Sequence, residues 1–302
     1  MTGVSIVVPS YRRPERLARC LAALASQTMA PVHVVVVDQD PSDPARAALA
    51  TSGLPRATYL EQPRLGLSAS RNLALQTAQG EILAVTDDDC VPDPGWLEAL
   101  ADAVTRAPAP GGVSGCILPL DDRPPGSYAV SLRMSETAVD HRARISPWVL
   151  GSGGNFAAPV LVLRRIGGWD ERLGAGSRGM AAEDCDLLDR LVVAGHVVRY
   201  EPAAVVRHEW QTAARRLATR WSYGYGIGAL CGLRLAARDG FALSMLRDYC
   251  GLHARPLLGA LKRRNRMTVG EHARALASLG PGIAYGLRAA RMPPTRTNVG
   301  PP

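Results

Sequence analysis

The first ninety residues switch repeatedly between two hydrophobic periods, and this narrows the fold more than any other feature of the chain. Short apolar runs without polar alternation occur at Val4-Ser5-Ile6-Val7-Val8, Pro31 to Val37, Ala57-Thr58-Tyr59-Leu60 and Glu81 to Thr86. Runs of this length and character are strands buried on both faces, as in parallel sheets. Between them, Pro14 to Ser26 carries Leu17, Cys20, Leu21 and Leu24 at helical spacing, Ala45 to Thr51 is helical, and Ser68 to Gln79 sets Leu73, Ala74 and Ala78 on one face before Gly80. Regular strand–helix alternation predicts an α/β chain with a doubly wound, mainly parallel sheet flanked by helices.

Beyond Thr86 the pattern is less regular. Asp93 is placed as an N-cap and Pro94 as the first residue of a helix whose apolar face is Trp96, Leu97, Leu100 and Val104. Gly112 to Leu118 reads as a strand, Ser127 to Val139 as an irregular helix, Gly151 to Phe156 as a glycine-rich approach to a strand, and Leu161 to Ile166 as a short helix. A second glycine-rich loop, Gly174 to Gly179, precedes a helix over Glu183 to Val193; Val197 to Tyr200 and Ala204 to Arg207 read as strands. Thereafter only helical patterns appear, broken by Gly240, Gly251, Pro256, Gly280 and Pro281. This divides the chain into an α/β unit over 1–210, a helical region over 211–292 and a Pro-rich tail over 293–302, read as disordered.

Charge follows the same division. From Arg207 onward sixteen Lys and Arg face four Asp and Glu, a net +12; the whole chain carries +8, so residues 1–206 carry −4. A basic segment of this kind fits a polyanion (a membrane surface, a nucleic acid or an acidic ligand), or is a solvated helical surface in an Arg-rich protein whose one lysine is Lys262. Six cysteines are scattered with no Cys-x-x-Cys, which argues against a zinc ribbon or thioredoxin-like site and fits a reducing compartment. No run approaches the roughly 18 apolar residues that span a bilayer, and the N-terminus enters a strand without a secretory signal, so a cytoplasmic location is expected.

In an open parallel sheet, ligands bind beyond the carboxyl ends of the strands. Pro9-Ser10-Tyr11-Arg12-Arg13, Asp38 and Asp87-Asp88-Asp89 all fall there. Three adjacent carboxylates repel unless a cation sits among them, and a divalent ion with oxygen ligands, Mg²⁺ or Mn²⁺, would complete its shell with substrate phosphates. The plainer reading is an acidic turn that merely ends a strand. Gly66-Leu67-Ser68-Ala69-Ser70-Arg71-Asn72 opens a helix with small residues and an arginine, as anion binding requires, or simply with a serine cap. No GxxxxGK[ST] occurs, which excludes a P-loop. Asp184 shares a helical stripe with Leu187, Leu188 and Leu191, at the N-terminal end of the buried face, whereas Glu183 and Asp186 are expected to turn elsewhere. Asp184 is therefore either a helix-dipole partner or a catalytic carboxylate at a cleft, and His208 follows a strand-like run where an imidazole could complete a metal site.

Seven segments in order carry a resemblance: VSIVVPSYRRPERL, VVVVDQD, GLSASRN, TDDDCVPDPGWL, GSGGNFA, GGWDERL and AEDCDLLDRL. Over roughly residues 4 to 210 the chain resembles the family 2 glycosyltransferases, of GT-A fold. The resemblance implies a metal-dependent, inverting transfer of a hexosyl-type sugar from a nucleoside diphosphate donor, in bacterial polysaccharide or glycoconjugate biosynthesis. By motif position Pro9, Tyr11, Asp38 and Arg71 would hold the nucleobase, with Arg13, Gly66, Asp87 and Asp88 completing the nucleotide site. Asp89 and Asp87 of the Asp-x-Asp motif, with His208, would bind Mn²⁺ or Mg²⁺. Gly154, Asn155, Trp169, Asp170 and Glu183 would line the donor or acceptor sugar, Asp184 would be the general base, and Gly174 to Met180 a mobile lid. UDP is the first expectation for the nucleotide, with TDP and GDP as alternatives; the acceptor would be a sugar, a lipid-linked glycan or a small molecule. A peripheral contact of the basic region with the inner face of the plasma membrane is a further expectation, and no nucleic acid partner is expected.

Two other classes use similar parts. A sugar-phosphate nucleotidyltransferase also has a parallel sheet and a carboxylate-bound metal, but needs a glycine-rich basic loop after the first strand, and PSYRRPERL has no glycine. A non-catalytic binding module for a nucleotide-sugar or polyanion would have no need of intact carboxylates at both Asp87–Asp89 and Asp184.

Overall fold

A computed structural model describes residues 3–40, 44–62 and 64–292; the Pro-rich tail lies outside the described residues. The first half follows the predicted alternation: β1 (Val4–Ser10), α1 (Pro14–Ala25), β2 (His33–Asp38), α2 (Ala45–Ala50), β3 (Ala57–Glu61), α3 (Leu67–Thr77) and β4 (Ile82–Thr86). Next come β5 (Cys90–Pro92), α4 (Trp96–Thr105), β6 (Gly112–Pro119), β7 (Val139–His141), α5 (Pro147–Leu150), β8 (Asn155–Pro159), α6 (Val160–Arg165), α7 (Glu183–Val193) and β9 (Val198–His208). One sheet runs β3-β2-β1-β4-β8-β6-β9-β5, with β7 added on β9. The β3-β2-β1-β4 half is parallel; β8 enters antiparallel between β4 and β6, and β6 pairs β9 in parallel.

Both sheet faces are covered, as continuous apolar strands require. On one face Leu17, Leu21, Leu24, Trp96, Leu97 and Leu100 pack against Val4, Ile6 and Val8. On the other, Leu75, Phe156, Trp169, Leu187, Leu188 and Leu191 pack against Val7, Val35 and Val37. A third cluster joins Leu173, Ala182 and Cys185 to the C-terminal helices α8 (Ala213–Ala236), α9 (Phe241–Lys262), α10 (Arg266–Ala277) and α11 (Leu279–Ala289).

The glycines of the C-terminal region are packing devices. Added Cβ atoms would meet Leu279 O at 2.3 Å from Gly228, and Tyr225 O at 2.1 Å from Gly282, so α8 and α11 approach backbone to backbone. Arg234 of α8 bridges Asp186 and Asp189 of α7, and Arg144 bridges Asp189 and Asp239. These part-buried pairs tie the helical region to the sheet through α7.

Three expectations are corrected. Ser127 to Val139 is not a helix: Tyr128 pairs with Gln211 and Arg133 with Ile117, and these edge bridges take the backbone groups a helix would use. Asp93 does not cap α4, which starts at Trp96; its carboxylate accepts from Arg207 at 2.9 Å, while its carbonyl closes a turn onto Trp96 N. The two strands read at 197–200 and 204–207 are one, β9, in which a register shift opposite Gly115/Cys116 absorbs Pro202, Ala203 and Ala204.

Candidate active site

The carboxyl ends of β1, β2 and β4 meet the N-termini of α3 and α7 and the end of β9. The acidic triplet lies in this cleft, with two of its three carboxylates buried. Asp88 is held on both oxygens, by Ser10 Oγ at 3.1 Å and Arg13 Nη1 at 3.0 Å. Arg13 Nη1 also donates to Asp89 Oδ2 at 2.9 Å. Burial and the neighbouring Asp89 and Asp87 push Asp88 up to about 6, against the pull of Arg13. Burial also opposes charge on Asp89, but His208, Arg13, Arg16 and Arg215 outweigh it and hold that carboxyl below its usual range.

Asp87 belongs to a second set. Arg71, on α3 and 1 % exposed, donates through Nη2 to Asp87 at 3.1 Å and to Gly153 O at 3.2 Å, and through Nη1 to Glu183 at 3.0 Å. Asp184 beside it accepts from Gly153 N at 3.0 Å and Cys185 N at 2.7 Å, and remains part-exposed. Ala182, just before the pair, adopts φ 69°, a left-handed conformation that costs a non-glycine residue on the order of 1 kcal/mol. Burial and the charge on Asp184 raise Glu183 to about 7, with Arg71 opposing. Contrary to expectation, neither Glu183 nor Asp186 turns away: Glu183 is buried on Arg71, and Asp186 on Arg190 and Arg234.

His208 ends β9 beside Asp89. Its Nδ1 lies 2.9 Å from Glu209 O, and since a carbonyl only accepts, Nδ1 carries the hydrogen. A neutral ring then presents its Nε2 lone pair to Asp89 Oδ1 at 3.5 Å. With Nε2 protonated the contact is an ion pair, the form in which His208 lowers Asp89; with the ring neutral, the oxygen–nitrogen donor set suits a divalent metal. Cys90 Sγ completes a trio within 4.8 Å, among the described residues.

Other candidates are placed as follows. Tyr11 is exposed at the lip of the cleft, next to Arg12 at φ 55°, and Pro9 is buried in β1. Asp38 ends β2 in the same cleft, with no exposed surface; it accepts from Tyr59 Oη at 2.5 Å and Asp40 N at 3.0 Å. Gly66 caps α3 at φ 152°, and Gly154 runs so close to Asp87 that an added Cβ would lie 2.8 Å from Oδ2. The 174–180 loop is tied down where it meets α3: Leu67 N donates to Ala175 O at 2.8 Å and Ser68 Oγ to Leu173 O at 2.8 Å.

Three proposed sugar-pocket residues do not reach the cleft. The Asn155 amide is consumed by Trp96 Nε1, Cys116 O and Ala204 O, and Asn155 has no exposed surface. Trp169 is core, its backbone clasped by Asn72. Asp170 is buried in a bidentate pair with Arg172. All three stiffen the walls behind the site.

Two residues had no signal in the sequence. Arg215, in the first turn of α8, lies in the field of Arg13, Arg16 and Asp89; burial, then Arg13, lowers its pKa, and it makes no ion pair among the described residues. Tyr223, about two turns of α8 further on, keeps 38% of its surface exposed, yet burial of its hydroxyl and the charge on Asp184 and Glu183 raise it, and Ser131 bonds that hydroxyl.

This architecture is that of a GT-A glycosyltransferase. The Glycosyl transferase family 2 model matches residues 5–131 and the Glycosyl transferase family group 2 model residues 82–280. The chain belongs to glycosyl transferase family 2. It is 29% identical over 296 residues to a pre-mycofactocin glycosyltransferase of Mycobacterium tuberculosis, covering 95% of this chain but only 57% of that protein. Succinoglycan biosynthesis protein ExoM of Rhizobium meliloti is 27% identical, covering 94% of this chain and 92% of its own. An N-acetylglucosaminyl-diphospho-decaprenol L-rhamnosyltransferase of M. tuberculosis is 28% identical over 69% of this chain and 76% of its own. Mannosyltransferase PcManGT from Pyrobaculum calidifontis, solved with GDP-Man and Mn²⁺, shares the fold with a TM-score of 0.60 at 20% identity, over 93% of this chain and 87% of that one.

Proposed function

We propose that the protein transfers a sugar from a nucleoside diphosphate donor to an acceptor hydroxyl by a single inverting displacement, with Asp184 as general base. The observation that carries this reading is the convergence of two carboxylate centres in one cleft, the β4 triplet and the α7 pair, joined through Arg71 and Gly153. A sugar hydroxyl is a weak nucleophile and needs a carboxylate to take its proton during attack. One base and one displacement invert the anomeric centre, with no second nucleophile needed.

Asp89 and His208 would hold the divalent cation, with Asp87 within the same cleft; when bound, the ion neutralises charge on the donor diphosphate. Arg13 fixes Asp88 and Asp89, and Arg215, near Asp89 but in no ion pair among the described residues, adds a cation where the leaving diphosphate would gain negative charge. Arg71, being buried, positions Asp87 and Glu183 rather than touching the nucleotide. Tyr11 at the lip is a stacking surface for the base, and Tyr223 borders the acceptor side of Asp184. Two relatives are named for succinoglycan biosynthesis and for rhamnosyl transfer to N-acetylglucosaminyl-diphospho-decaprenol, which supports a sugar or lipid-linked acceptor here.

The test is a transfer and donor-hydrolysis assay with UDP-, TDP- and GDP-sugars, with and without Mn²⁺, with product stereochemistry read by NMR. Metal-dependent release of nucleoside diphosphate and an inverted product are expected. Formation of nucleoside triphosphate and sugar 1-phosphate when pyrophosphate is added would instead mean a nucleotidyltransferase, and uptake of donor without turnover a binding module.

A further inference from the structure

The described residues contain no helix long and apolar enough to cross a membrane, yet α9 carries two apolar faces. One is spent inside the protein, where Ala242, Met245, Tyr249, His253 and Ala260 pack against the neighbouring helices. The other points outward. Leu243, Cys250, Ala254, Leu258 and Leu261 follow an i, i+7, i+11, i+15, i+18 rhythm along one stripe, and Arg247 occupies the missing i+4 position. Leu243, Leu258 and Leu261 are 62%, 61% and 53% exposed, far more than isolated surface leucines require.

Charge identifies the occupant. From Arg247 to Arg266, six basic residues stand against one acidic residue, Asp248, which is engaged by Ser146 and Arg247. Arg255 and Lys262 flank the stripe, and Arg263, Arg264 and Arg266 cluster exposed at its C-terminal end. An apolar stripe bordered by Arg and Lys is the pattern of a helix lying in the interface of an anionic bilayer. A second copy of the chain would set these same cations against each other across the contact, which disfavours self-association through this face.

We propose that the outward stripe of α9 seats the protein on anionic lipid, with Leu243, Leu258 and Leu261 entering the headgroup boundary and Arg247, Arg255 and Lys262 meeting lipid phosphates.

The chain supplies its own reporter. Cys250 is exposed on the stripe, whereas Cys20, Cys90, Cys116, Cys185 and Cys231 are buried, so a polarity-sensitive fluorophore labels one site. The full chain is mixed with phosphatidylcholine vesicles with or without roughly 30 mol % phosphatidylglycerol, at low and high salt, and read by flotation and by the Cys250 label. Binding is expected to the anionic vesicles at low salt only, with a blue shift of the label. Arg255→Gln with Lys262→Gln should weaken binding about fivefold per charge, and Leu258→Ser with Leu261→Ser about tenfold, with circular dichroism unchanged. The proposal fails if anionic vesicles do not float the protein, or if they do so without a shift of the label, which needs no variant. It also fails if neutral vesicles bind equally well, or if the leucine variant abolishes a concentration-dependent dimer instead.

Discussion

The Arg71 guanidinium, almost wholly buried, bonds Glu183 through one terminal nitrogen and Asp87 through the other, so a single cation ties the start of α7 to the end of β4. Removing one partner of a buried ion pair leaves an uncompensated charge and costs roughly 3–5 kcal/mol. Arg71→Met should lower the urea unfolding free energy by an amount near the lower end of that range, because Glu183, already raised to about 7, can take up a proton. Adding Glu183→Gln should recover part of the loss. Additive losses in the double mutant would mean that the two residues are not coupled.

Asp184 faces the cleft with both oxygens oriented by backbone amides of Gly153 and Cys185. Asp184→Asn should reduce turnover by about 10²- to 10⁴-fold, the usual weight of general base catalysis. Donor binding by calorimetry should be unchanged, since the proposed base would act on the acceptor. Wild-type turnover in the variant would remove Asp184 from the role of base.

The parallel half of the sheet was legible because β1, β2, β3 and β4 are continuous apolar runs, and their polar ends could be placed in one cleft by the strand-end rule alone. The sugar-pocket assignments were less legible. Asn155, Trp169 and Asp170 sit in segments matching the family, but for Asn155 and Trp169 whether the side chain faces a ligand or the wall behind it depends on packing partners more than forty residues away, Trp96 and Asn72. The 127–139 segment misled for a related reason. Its pairing with Ile117 and Gln211 is long-range and leaves no period to read. Arg215 was invisible because nothing local marks an arginine on a basic helix as the one beside Asp89.

In the proposed reaction, metal dependence would rest on the Asp89 and His208 pair. EDTA should abolish turnover, and Mn²⁺ should restore it. His208→Ala should raise the Mn²⁺ concentration for half-maximal activity at least about tenfold, the usual size of a perturbation at a metal site. Direct Mn²⁺ titration by electron paramagnetic resonance should show the same displacement without substrate. Unaltered Mn²⁺ affinity in the variant would strike His208 from the ligand set.

Arg215 is argued to act when charge builds on the leaving group. Arg215→Ala should therefore lower kcat by about 10-fold or more, while donor binding weakens less, because the interaction grows in the transition state. Arg215→Lys should restore part of the rate. An equal rise in KM with kcat unchanged would make Arg215 a ground-state contact only.

The helical region carries its own pH response. His253 and His272 face each other through their Nδ1 atoms at 2.8 Å, one hydrogen between them, with Glu271, Arg216 and Arg220 alongside. Burial, then His272 and Arg220, hold His253 down at about 4; burial also lowers His272. Both folded values lie below the unfolded value near 6.5, so the unfolded chain binds more protons in that window. The contribution is fully present above about pH 6.5 and is lost as pH falls toward about 4, on the order of 2 kcal/mol for the more buried His253. Asp88 and Glu183, raised to about 6 and about 7, work in the opposite sense, losing stability as pH rises through those values. The comparison that isolates the histidines is therefore wild type against His253→Gln, by urea denaturation at about pH 7.5 and about pH 5. The variant should lose less stability on acidification than the wild type; an identical loss in both would place the acid sensitivity outside this pair.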